Sequence, residues 1–81
     1  SADPAPIIEL IEAFRRSKAM FAAVSLGVFE GNRDLGVEAD RLLDACVALD
    51  LLRREGDAYV NTPVSEEYLT LGSARTLAGY V

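Results

Sequence analysis

Apolar residues recur along this chain at helical spacing first and at strand spacing later. Ile7, Leu10, Ile11, Phe14, Phe21, Val24 and Val28 stand mostly three, four or seven apart. That spacing places them on one stripe of a helix expected over residues 7–26, with Ile8 to one side. Glu9, Glu12, Arg15 and Arg16 lie largely off the stripe, and Glu12 with Arg16 makes an expected i,i+4 ion pair. Residues 19–26, AMFAAVSL, are apolar nearly all round and hold four small residues. Such a segment predicts later turns, or a second helix in series, buried on most sides. Pro6 suits a first helical turn and Gly27 a C-terminal stop.

The pattern then breaks. Gly31, Asn32 and Gly36 mark residues 30–36 as a loop. A second helix is expected over residues 39–49, with Ala39, Leu42, Leu43, Cys46 and Leu49 on its buried stripe. Asp50 ends it, since Asp tolerates the left-handed conformation better than most side chains. The stretch LLRREGDAYVN then reads as a hairpin. Residues 51–54 and 58–61 are its strands, and Glu55-Gly56-Asp57 is a three-residue turn. Thr62 and Pro63 predict the cap and first position of a third helix, running to about residue 69 or 71. Gly72 would stop that helix and Ser73 would cap one more, ARTLAGYV. Because that last pattern stops in mid-stride at Val81, a parent chain is expected to continue beyond it.

Eighty-one residues make one domain, 1–81, and 51% of them are hydrophobic. That supply exceeds what so small a core needs, so part of the apolar surface is expected to meet another chain. The net charge of −5 disfavours a phosphate backbone as partner. The second helix with its flanks carries Glu38, Asp40, Asp44 and Asp50 against Arg41 alone. A major-groove helix needs basic and amide side chains instead. No stretch is long and apolar enough to span a membrane, and no secretory n-region is present, so a cytoplasmic chain is expected.

The chemical inventory is short. Without histidine, neither a Ser-His-Asp nor a Cys-His arrangement can be built. One cysteine excludes an internal disulfide and the usual zinc spacings. The six glycines are dispersed and form no phosphate-cradling turn. Cys46 sits on an apolar stripe, where a thiol is structural and inert. No catalytic, cofactor-binding or metal residue is therefore assigned. The strongest signal is the first helix, whose large side chains would each contribute roughly 1.5–3 kcal/mol if buried. Burial against a second copy would outweigh the entropic cost of association.

The segments SLGVFE, RLLDACVALDLL and YVNTPVSEEYL together resemble the N-terminal dimerisation domain of small-molecule O-methyltransferases that use S-adenosylmethionine. The plant caffeate, hydroxyindole and bacterial polyketide enzymes are of this kind. The resemblance implies a mainly α, winged-helix-like domain with one short β-hairpin, intertwined with its twin as a homodimer. It implies a dimer interface at Ile7, Ile8, Leu10, Ile11 and Phe14, with Met20 and Phe21 near the substrate pocket that the domain helps to wall. It also implies a separate Rossmann-like catalytic domain that binds the methyl donor and a hydroxyl substrate; none of its motifs occurs here. An alternative reading is a winged-helix DNA-binding regulator. Two departures stand out. The family has about a dozen more residues between its GVFE and LGV segments, and their loss would leave a groove beside Leu42 and Cys46. The family also favours Gly where Asp50 stands.

Overall fold

The computed structural model describes residues 2–33 and 39–80, the side chain of Tyr80 excepted. Helix α1 spans Ala5–Ser25, a 3-10 turn spans Val28–Glu30, and α2 spans Ala39–Ala48. Strands β1 (Leu52–Glu55) and β2 (Ala58–Asn61) follow, then α3 (Pro63–Tyr68) and a 3-10 turn at Ala78–Tyr80. The described residues are thus mainly helical with one two-stranded antiparallel hairpin.

Helix α1 is one continuous helix of 21 residues, starting two residues earlier than its apolar pattern. Pro6 sits in its first turn, where the missing N–H costs nothing. Gly27 adopts φ +75 and turns the chain out of the helix, its N–H donating to the Val24 carbonyl at 3.1 Å. Val28 therefore leaves the helical stripe expected for it. It enters the 3-10 turn instead and, with Phe29, joins the core. The core comprises Ala23, Val28, Phe29, Leu43, Cys46, Leu52 and Leu69. The apolar stripe of α2 is spent there: Leu43 and Cys46 are buried, and Leu42 packs against them.

The hairpin departs from expectation by one residue. Leu52 pairs with Asn61 and Glu55 with Ala58, leaving a two-residue turn of Gly56 and Asp57. Gly56 takes φ +62 while Asp57 stays negative. That combination suits a type II′ turn, which matches the strand twist better than a three-residue loop. Asp50 takes φ +62, as its role of helix stop requires.

Thr62 occupies the N-cap position of α3 yet makes no side-chain cap. Its hydroxyl donates instead to the Asp50 carbonyl at 2.8 Å. Ser65 donates to the Leu51 carbonyl at 2.7 Å. Both hydroxyls are buried, where unmet polar groups are costly. They pin α3 to the junction between α2 and β1. No α-helix follows Ser73 among the described residues. The Ser73 hydroxyl accepts from the Arg75 N–H at 3.2 Å as an N-cap would, yet only a local turn follows.

Candidate functional site

The residues that sequence reasoning singled out lie mostly on one face of α1. Ile7 is 61% exposed, Leu10 67%, Phe14 65% and Phe21 45%, with Ile8 and Ile11 also exposed. No residue of α1 is buried except Ala23. Phe14 and Ala23 are nine positions apart, which is two and a half turns, so they point to opposite sides. The helix thus has two faces. Ala23, Met20 and Val24 hold its last turns on the body of the chain. Ile7, Leu10, Ile11, Phe14 and Phe21 form a stripe that faces away. The expectation that residues 19–26 are buried on most sides fails for this reason: Phe21 and Leu26 remain exposed.

Met20 is brought elsewhere. It is half-buried against the core and lines a hollow of about 220 Å3 with Arg16, Ser17, Leu49 and Leu51. The ion pairs on α1 also differ from the expected one. Arg15 meets Glu12 at 3.2 Å and Arg16 reaches back to Glu9 at 3.1 Å. All four side chains are exposed, so neither pair contributes much.

Both arginines of the hairpin have partners within the chain. Arg53 is paired with Glu55 at 3.1 Å. Arg54 lies 4.9 Å over the ring of Tyr59 and donates to its hydroxyl at 3.3 Å. The Tyr59 hydroxyl in turn donates to Asp44 on α2 at 2.9 Å. That hydrogen bond and the nearby burial raise the Tyr59 pKa against the opposing pull of Arg54. Both hairpin arginines thus lie beside an α2 surface carrying Asp40 and Asp44.

One polar knot escaped sequence reasoning. Asn61 donates to the Phe29 carbonyl at 2.9 Å and to Glu66 at 2.7 Å, and accepts from Arg33 at 3.1 Å. It ties the first 3-10 turn to β2 and α3. An amide at the end of a strand gives no periodic signal, so nothing in the pattern marked it. Cys46 is fully buried. Burial pushes its thiol pKa up, partly offset by Arg33, so the thiol stays protonated and unreactive. Glu38 and the rest of residues 34–38 lie outside the described residues. Among the described residues no cluster of potential metal ligands occurs, and no helix is long and apolar enough to cross a membrane.

Comparison with known proteins gives a consistent picture. Residues 37–71 match the profile of the O-methyltransferase dimerisation domain. The chain is 36% identical to the N,N-dimethyltransferase OxyT of Streptomyces rimosus, with 93% of the chain and 26% of that protein aligned. It is 39% identical to acetylserotonin O-methyltransferase of Gallus gallus, with 90% of the chain and 27% of that protein aligned. A solved O-methyltransferase family protein from Burkholderia thailandensis superposes with a TM-score of 0.81 at 28% identity, covering 96% of the chain and 27% of that structure. The chain therefore spans about a quarter of each of these relatives. The first two alignments run over 89 and 93 positions, more than the 81 residues of the chain. Both relatives therefore carry residues with no counterpart here, as the sequence departure implied.

Proposed function

Because the chain belongs to the O-methyltransferase dimerisation-domain family, we propose that it is the homodimerisation unit of a methyltransferase. Its α1 stripe of Ile7, Leu10, Ile11, Phe14 and Phe21 pairs with a second copy, with Ile8 at the margin. The observation that supports this reading is the orientation of that stripe, which faces away from the core formed by the described residues. Five large apolar side chains in water on one helix face form the kind of patch that marks an association surface.

In this reading residues 1–81 are one domain, and catalysis belongs to a separate Rossmann-like domain of the parent protein. That domain would bind S-adenosylmethionine, and this chain supplies no residue to the donor. The segment around Met20 and Phe21 would wall the pocket for a small hydroxyl-bearing substrate. The hairpin, wing-like in position, is a scaffold: its arginines are held by Glu55 and Tyr59. The two copies would intertwine in a soluble, cytoplasmic enzyme. An amine acceptor is a second reading, favoured by the name of the Streptomyces rimosus relative. Methyl transfer by the parent enzyme to matched hydroxyl and amine acceptors separates the two.

Light scattering on this chain tests the pairing. The expected mass is that of two chains at micromolar concentration, and Phe14→Asp is expected to halve it. A single-chain mass at high micromolar concentration overturns the reading.

A further inference from the structure

We propose that the two copies pair antiparallel along α1, with Phe14 at the two-fold axis. Each projecting N-terminal half then lies against the docked half of the other copy. This rests on the pairing reading above and adds its geometry. Three independent observations support it.

The first is position. Residues 5–18 contain no buried residue, whereas the last turns of α1 are held on the body through Met20, Ala23 and Val24. The molecule is accordingly long, 49 × 30 × 19 Å. A parallel pair would leave the two projecting halves touching only each other. An antiparallel pair sets each beside the anchored end of its twin, and a symmetric pair of this kind closes on itself.

The second is size. Ile7 and Phe21 both stand seven residues from Phe14, so they meet across an antiparallel pair. Leu10 and Ile11 stand four and three residues before Phe14, and Lys18 and Ser17 stand four and three after it. Antiparallel pairing therefore sets large side chains over a small one and a flexible stem, which fills space evenly. Parallel pairing in register stacks Leu10 on Leu10 and leaves a gap at Ser17. The hollow bounded by Ser17, Met20, Leu49 and Leu51 lies on the same flank of the stripe as Leu10. In the antiparallel pair it is level with the partner's Leu10, which it can seat.

The third is charge. Lys18 falls within the stripe, between Ile11 and Phe21 around the helix. A parallel pair brings two Lys18 ammonium groups face to face. An antiparallel pair separates them by eight residues, about 12 Å along the axis, and lets each stem lie over the partner's Ile11.

Two measurements on this chain decide it. Spin labels on Ala5→Cys report end-to-end geometry, since Ala5 is exposed and Cys46 is enclosed. Antiparallel pairing puts the labels at least about 27 Å apart, from 18 residues of axial rise. Parallel pairing holds them within about 20 Å, given roughly 8–10 Å between helix axes. Oxidation of a mixture of Leu10→Cys and Ser17→Cys chains reports the contact itself. The expected result is a dimer with long label distances and mixed cross-links several-fold more abundant than either like-with-like product. A dimer with short label distances, or one whose cross-links form between like chains or not at all, overturns the antiparallel arrangement and leaves pairing intact. A monomer in both measurements overturns the pairing reading as well.

Discussion

Helices α1 and α2 carry the same kind of pattern and put it to opposite use. In α2 the stripe of Ala39, Leu43 and Cys46 is buried beneath α1, the hairpin and the 3-10 turn. In α1 the stripe from Ile7 to Phe21 faces out, and the helix holds to the body by small and flexible residues on its other side. Periodicity tells that a face must be covered; it does not tell what covers it. The lesson lies in the back face of α1. Ala23, flanked by Met20 and Val24, lets the helix approach its own core closely. The large side chains of the opposite face stay exposed.

The sharpest way to break this contrast is to spoil each stripe in turn. Phe14→Asp removes two buried aromatic rings per pair and is expected to weaken association by roughly 3–6 kcal/mol, at least about a hundredfold in Kd. At concentrations too low for pairing, the same change should leave thermal unfolding of the single chain nearly unmoved, as exposed substitutions do. Sedimentation velocity and circular dichroism report the two effects separately. Leu43→Ala is the mirror experiment. It opens a cavity in the core and should cost about 2–5 kcal/mol of folding stability by denaturant titration. A large loss of fold from Phe14→Asp and a small one from Leu43→Ala would erase the distinction between the helices.

Smaller changes sharpen it. Asp50 holds φ +62, a conformation costly to residues with a Cβ. Asp50→Gly is expected to stabilise the chain by roughly 0.5–1 kcal/mol in the same titration. The Thr62 bond survives because it goes to the Asp50 backbone carbonyl. The Cys46 thiol, pushed up by burial, works the other way with pH. Its neutral form is favoured in the fold, so its contribution is complete below the unfolded value near 9.0 and is lost as pH rises toward the folded value. Cys46→Ala should flatten that alkaline loss in unfolding curves taken from pH 8 upward. Smallest of all, Glu9→Gln should shift stability by less than about 0.5 kcal/mol, since its pairing with Arg16 is exposed.

Much of this fold was legible in the sequence because it rests on local signals. Gly27 and Asp50 marked helix ends, and both take positive φ. The stripe of α2 named its buried residues. What was missed depended on distant partners. The hydroxyl of Thr62 is taken up across 12 residues by the Asp50 carbonyl, so a residue that looks like a cap serves as a tether. Val28 continues the α1 period but is carried off the stripe when Gly27 turns the chain. The alanine-rich end of α1 reads as buried all round because alanines carry no directional signal, yet only one side meets the core. That Ile7, Ile11 and Phe14 share one helix face was legible for the opposite reason: large side chains at helical spacing carry a directional signal.

The most direct test of the central contrast is amide hydrogen exchange at two concentrations. Amides of Leu10 to Phe14 should gain protection as the chain is raised from nanomolar to high micromolar, while those of Leu43 to Val47 stay equally protected throughout. Protection of α1 that is already complete at the lowest concentration, or that never rises, would contradict a helix sheltered by a second copy.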